Sequence, residues 1–236
     1  MSDALTIERR GAVTVLHLDD GKANALSFEL IAAIKAAIEE ADSNGDARAV
    51  VLHGRPGRFS GGFDLGVMGG SDFAAIIELV ANGGELVRTI YGSSVPVVAA
   101  CTGHALAAGA LLLLGCDVRV GADIDAKIGL NEVAIKMVLP DWAFTIAFDR
   151  LSKRHLQRAV ANARLTTPRD AVDVGYLDEI VPEEQLLGRA IDVATDLAES
   201  LDPNAYVGTI AKLRANTLAV MDAQIADDRA AARSLD

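Results

Sequence analysis

Apolar and polar residues alternate over residues 5–9 and 13–18, on either side of Arg10-Gly11, which predicts two strands paired around a turn. From Ser27 the period changes. Leu30, Ile31, Ile34 and Ile38 recur at helical spacing, and Ser27 stands where an N-cap would accept from the first free N–H groups. Short apolar runs at 49–52, 95–101 and 118–121 predict buried strands, and 76–90 and 107–114 predict the helices between them. Strand-strand-helix units of this kind imply an α/β core with buried, partly parallel strands. After Leu139-Pro140 the strand signals fade. Residues 143–151, 153–161 and 168–174 read as short helices, Gly175 as a helix-ending position and 177–181 as a brief extended segment. Pro182 and Pro203 each open a further helix, the last running toward Ala232. No internal repeat or linker divides the pattern into independent domains.

One stretch, residues 89–116, holds no formally charged residue and is long enough to span a bilayer. Pro96, Gly103, His104, Gly109 and Gly115 break it into a short strand and a short buried helix, so the pattern is that of a core and not of a membrane span. Composition agrees. The chain of 236 residues is 51% hydrophobic but only 4% aromatic, a core of Ala, Val, Ile and Leu. Its net charge of −11 argues against nucleic acid and anionic membranes as partners, while leaving room for small anionic molecules held by a few basic side chains. The two cysteines, Cys101 and Cys116, lie in apolar runs and read as buried reduced thiols. With no apolar leader over residues 1–10, the expected location is the cytoplasm.

Candidate chemistry sits in two Gly-rich loops and one carboxylate. In Phe59-Ser60-Gly61-Gly62-Phe63-Asp64-Leu65, Gly61 and Gly62 either let the backbone approach a ligand, with the N–H of Phe63 turned to it, or form a tight surface loop. In the segment from Cys101 to Gly109, a helix N-terminus either offers free N–H groups to a developing negative charge or packs closely on the sheet. Glu132, in Ile128-Gly129-Leu130-Asn131-Glu132, either faces an apolar environment that raises its pKa toward that of a useful base or is a solvated surface acid. Trp142 walls a pocket near it or simply packs, and His104 reads as a packed or hydrogen-bonded turn residue rather than a catalyst. No G-x-S-x-G elbow, Walker lysine loop or G-x-G-x-x-G motif is present, and the four histidines lack metal-ligand spacing.

These pieces together resemble the crotonase (enoyl-CoA hydratase/isomerase) superfamily over nearly the whole chain. The matching segments, in the family's order, are Lys22-Ala23-Asn24-Ala25-Leu26-Ser27, residues 59–65, residues 96–109, Cys116-Asp117, residues 128–132, and Thr167-Pro168 through Val181-Pro182. The resemblance implies an α/β fold of the crotonase-like type. A spiral of ββα units carrying an acyl-CoA site would fill residues 1–190, and a helical region at 191–236 would assemble the chain into trimers or hexamers.

It further implies an oxyanion hole of the backbone N–H groups of Phe63 and Ala108, the latter standing where the family usually has Gly. Lys22, Ala23 and Ala25 would line the coenzyme A strip with Gly61 and Gly62. Asp64 and Leu65 would lie beside the adenine, and Lys212 would reach a phosphate of CoA, on its own or a neighbouring subunit. Coenzyme A would be present only as part of the thioester substrate, with no permanently bound cofactor and no metal.

Family hydratases use two glutamates; here their positions fall on Leu111 and Glu132, and a hydrocarbon cannot activate water. The resemblance therefore favours the family's Δ3,Δ2-enoyl-CoA isomerases, with Glu132 as single acid/base and Leu111 and Trp142 in the apolar wall. A hydratase recruiting Glu78 or Glu85, and an inactive acyl-CoA-binding homologue, are the alternatives.

Overall fold

The computed structural model describes residues 4–233; residues 1–3 and 234–236, the outer ends of the two expected segments, lie outside it. Strands β1 (Leu5–Arg10) and β2 (Val13–Leu18) pair antiparallel as their alternation predicts, turning through Gly11 at φ 60°. After the two-residue strand β3 (Ala25–Leu26), helix α1 (Phe28–Asn44) starts where the side chain of Ser27 accepts from Leu30 N and stops at Gly45 in the left-handed region. Next come β4 (Ala49–His53), β5 (Gly57–Ser60), β6 (Gly62–Phe63), a short helix α2 (Leu65–Met68) and the long helix α3 (Phe73–Tyr91). The third stretch runs β7 (Val97–Cys101), β8 (Gly103–Leu106), α4 (Ala108–Gly115), β9 (Val118–Ala122) and β10 (Ile128–Gly129). Beyond them lie α5 (Asp141–Arg150), α6 (Leu156–Ala159), α7 (Pro168–Val174), β11 (Glu179–Val181), α8 (Leu186–Ser200), α9 (Pro203–Leu213) and α10 (Ala215–Arg233).

The main sheet has the order β1-β2-β4-β7-β9-β11, and every pairing after the first is parallel. Its inner strands β2, β4, β7 and β9 are buried on both faces, which explains their apolar runs. One face, with Leu16, Leu52 and Ala99, looks into the core built with α1, α3 and α4. The other, with Val15, Val51, Val98 and Val120, is covered by Ala190, Ala194 and Ala198 of α8. A second parallel sheet, β10-β8-β5, and the pair β3-β6 turn away from the first. The fold is thus mixed α/β with a helical C-terminal region, as expected, and no described helix is long and apolar enough to cross a membrane.

The sequence pattern misses several elements. Both Gly-rich loops contain strands, β5 and β6 in the first and β8 in the second, because two- to four-residue strands rich in glycine carry no alternation. The helix expected over 153–161 is a single turn, Leu156–Ala159. The final helix is two helices, broken at Arg214.

A buried charge pair sits at the break. Arg214 is 4% exposed and donates to Asp117 Oδ1 at 2.6 Å and to the carbonyl of Tyr91 at 2.6 Å, with its guanidinium 4.4 Å from the centre of the Tyr91 ring. Asp117 also accepts from Tyr206 Oη at 3.0 Å and from the N–H of Val97 at 2.8 Å. This buried charge pair fixes the junction of α9 and α10 to the core, and α10 then lies along α3 and α5. Replacing Arg214 by Met leaves Asp117 buried without its cation. We expect a loss of about 3 kcal/mol in urea unfolding, the usual result of removing one partner of a buried pair; a loss below 1 kcal/mol would contradict this role.

Candidate active site

The site is assembled from backbone first. Asp20 folds the segment after β2 into a tight loop: its carboxylate accepts from the N–H groups of Lys22 at 2.7 Å, Asn24 at 2.8 Å and Ala25 at 2.9 Å. Burial pushes that carboxyl up, but the three N–H donors outweigh it and hold it below its ordinary range. Asn24, fully buried at φ 51°, ties the loop down by donating to the carbonyls of Leu18, Arg58 and Phe59. Ser60 Oγ donates to the carbonyl of Asn24 at 2.8 Å, and the N–H of Gly61 to the carbonyl of Ala23 at 2.8 Å. The strip Lys22 to Ala25 and the loop 59–63 therefore form one unit, continued by the pairings Ala25 with Gly62 and Leu26 with Phe63.

That unit is pressed against the start of α4. A Cβ placed on Gly62, at φ 95°, would lie 3.1 Å from the carbonyl oxygen of Leu106, 3.2 Å from Ala107 Cβ and 3.5 Å from Ala108 N. One on Gly109 would lie 2.3 Å from the carbonyl oxygen of Ser60. Only glycine permits either approach. The result brings the Phe63 and Ala108 backbones alongside each other. At Ala107, which precedes the helix, φ is 50° and ψ −124°, and no side chain caps the first N–H groups. Ala108 thus presents a free helix N-terminus.

The carboxylate arrives from the other side. β10 pairs with β8, and the N–H of Ala107 donates to the carbonyl of Gly129 at 3.1 Å, so residues 128–132 run past the α4 N-terminus. The N–H of Leu130 donates to Tyr176 Oη at 3.3 Å, fixing the strand from α7's far end. Glu132 is 7% exposed, and its Oε2 has no hydrogen-bond partner among the described groups. Burial pushes its pKa up to about 6, against a smaller lowering by the backbone N–H groups of Glu132 and Asn131. Burial, with the nearby Glu132 charge, also pushes the Tyr176 hydroxyl above its ordinary value. Of the two readings of Glu132, the buried acid is the one the structure has.

Other expected residues fall as follows. Leu111 and Trp142 are buried, 1% and 0% exposed. Asp64 caps α2 by accepting from the N–H of Gly66, and Leu65 is 80% exposed beside it. Lys22 is exposed at the rim, and Lys212 lies exposed on α9, on an element apart from the loops. His104, expected in a turn, lies in strand β8 instead, and it accepts from the N–H of Lys127 through Nδ1 at 3.1 Å. Glu85 pairs with Lys35 at 3.0 Å and Arg229 at 2.9 Å, which hold its carboxyl down at about 2, and Glu78 lies 3.5 Å from Arg229. Both acids are engaged toward α10 instead of the site. Sequence reasoning missed Asp20, Tyr176 and the buried pair Gly83-Gly84 of α3; the last was visible as two adjacent glycines inside a predicted helix, where each costs about 1 kcal/mol against Ala.

The family description "Enoyl-CoA hydratase/isomerase" matches residues 8–234, and the chain belongs to that family. The mitochondrial enoyl-CoA delta isomerase 1 of Mus musculus is 35% identical over 190 residues, covering 80% of this chain and 66% of the mouse protein, so the chain spans just under two thirds of that relative. A solved Mycobacterium tuberculosis protein, described as an enoyl-CoA isomerase in one structure and as a probable enoyl-CoA hydratase in another, is 37% identical, with a TM-score of 0.91 in the first over 98% of this chain and 99% of that one. An enoyl-CoA hydratase of Mycobacterium marinum is 35% identical, with a TM-score of 0.89 over 96% and 98%. Relatives of both names thus share the fold at similar distance.

Ala107 adopts a backbone conformation that L-residues avoid, at an estimated cost of about 1–3 kcal/mol. Ala107→Gly should relieve that strain and, after the added entropy of the unfolded glycine, raise stability by about 1 kcal/mol. A urea midpoint that falls instead would contradict the strained geometry.

Proposed function

We propose that the chain is an acyl-CoA enzyme that shifts the double bond of a 3-enoyl-CoA to the trans-2 position. The reading is carried by one buried carboxylate with a raised pKa and no hydrogen-bond partner on Oε2, and it is supported by the close approach of Gly62 to the uncapped start of α4 and by a leucine at position 111. Glu132 as carboxylate removes a proton from C2 of the thioester. The electrons move into the carbonyl, giving an enolate whose oxygen accepts from the N–H groups of Phe63 and Ala108. The same proton, now on Glu132, returns to C4, and the double bond ends conjugated with the thioester. One residue suffices because no atom other than that proton is transferred.

Hydration makes a different demand, since a water must be oriented and deprotonated while a proton is delivered. Leu111 offers no polar atom, and Glu78 and Glu85 are engaged by Arg229. Burial of Glu132 suits the isomerase reading further: a base near neutrality is strong enough to act yet readily reprotonates carbon. The main chain of Lys22, Ala23 and Ala25, with Gly61, Gly62, Asp64 and Leu65, would follow the pantetheine and adenine of CoA, and Lys212 would meet a phosphate. Assembly as a trimer or hexamer belongs to the same reading, and exposed Val133, Ile135 and Val138, just after Glu132, fit burial between copies.

Glu132→Gln should lower turnover of a trans-3-enoyl-CoA by about 10²–10⁴-fold, the worth of a positioned base. Retained activity would remove Glu132 from the mechanism. In the unaltered enzyme the base must be ionised, so kcat/KM should hold above pH 7 and fall as pH drops through about 6. A fall only near 4.5, the ordinary carboxyl value, would mean that the reacting carboxylate is not the buried one.

A further inference from the structure

We propose that Gly83 of α3 is a positioning residue that sets the location of the Phe63 N–H by giving the Phe63 ring a seat against the helix backbone; the inference rests on the isomerase reading above. A helix interior disfavours glycine, yet α3 carries two in succession, both buried. The reason is visible in their neighbours. A Cβ on Gly83 would lie 2.3 Å from Phe63 Cε1 and 2.4 Å from Cζ, and one on Gly84 would lie 2.8 Å from Trp142 Cε2 and Nε1. The notch in α3 therefore seats two rings from the site, one of them belonging to the residue whose N–H meets the enolate.

Phe63 has little freedom to move away. Its backbone is held by the pairing with Leu26 in β3, by the donation of Asp64 N to the Leu26 carbonyl at 3.2 Å, and by Gly62 against Ala107 and Ala108. An ordinary contact to a Cβ begins near 3.4 Å, so a methyl group at Gly83 requires a displacement of about 1 Å at the ring edge. Because the ring is short and its backbone is tied at these points, part of that shift reaches the backbone N–H. An oxyanion donor works at about 2.7–3.1 Å, and a misplacement of about 1 Å can cost on the order of 10²-fold in rate. The ring atom Cδ1 of Phe63 is 3.7 Å from the same Cβ position, an ordinary contact. A leucine at 63 keeps atoms at that branch, lacks Cε1 and Cζ, and retains the N–H.

The test is a double-variant cycle in the full chain: Gly83→Ala, Phe63→Leu and both together, reading kcat and KM on a trans-3-enoyl-CoA alongside urea unfolding. Gly83→Ala should lower kcat by about 10–100-fold with KM changed by less than about threefold, because the donor acts chiefly on the developing charge. In the Phe63→Leu background the same substitution should cost less than about threefold. Equal costs in both backgrounds, or a wild-type kcat in Gly83→Ala, would overturn the positioning role while leaving the isomerase reading intact. If Gly83→Ala fails to fold, the double variant decides: recovery of fold and turnover relative to that single variant supports the seat, and failure to recover overturns it. Absence of turnover in the unaltered protein would overturn the isomerase reading, and this inference with it.

Discussion

Everything at the site depends on two stretches of main chain meeting with no side chain between them. Gly62 lies against the turn Leu106 to Ala108, and Gly109 lies against Ser60, at separations a Cβ would close. The parallel pairing of β5 with β8 sets the register of these segments, and the lack of side-chain volume lets them close past the end of that ladder. The same economy recurs one layer out, where Gly83 and Gly84 admit the rings of Phe63 and Trp142 to the surface of α3. Backbone donors positioned this way are stiff, and stiffness is what lets an N–H stabilise a transient oxyanion without first reorganising.

The electrostatics follow from that packing. Burial leaves Glu132 with one oxygen unpartnered and raises its pKa, and position 111 carries a buried leucine and no second charge. Acids elsewhere are neutralised by partners: Glu85 by Arg229 and Lys35, Asp117 by Arg214, Asp178 by Arg119 at 2.7 Å. Glu132 stands apart from them as a buried carboxylate with no cation bound to it. A destabilised ionised form is the condition under which a weak acid becomes a useful base.

The main sheet and its helices were legible because their strands are apolar on both faces and their helices keep a strict period. Ser27 and Gly175 cap where their chemistry says they should. β5, β8 and β10 were not legible, because glycine-bearing strands of two to four residues leave no pattern to read. The helix break at Arg214 was hidden for another reason: the charge that ties this junction to the core is buried against Asp117, nearly a hundred residues earlier in the chain. Phe63, Ala108 and Glu132 were singled out through family resemblance and the glycine-rich context together. Gly83 was overlooked because the meaning of a helical glycine lies in what touches it, and no local window contains Phe63 and α3 in contact.

The decisive measurement compares the unaltered enzyme on a trans-3-enoyl-CoA and on a trans-2-enoyl-CoA, following the absorbance of the conjugated thioester. A single buried carboxylate beside an oxyanion hole should raise the absorbance with the first substrate and leave the second unchanged. Rapid loss of absorbance with the second would mean that water is being activated, and that a second acid acts where Leu111 leaves none.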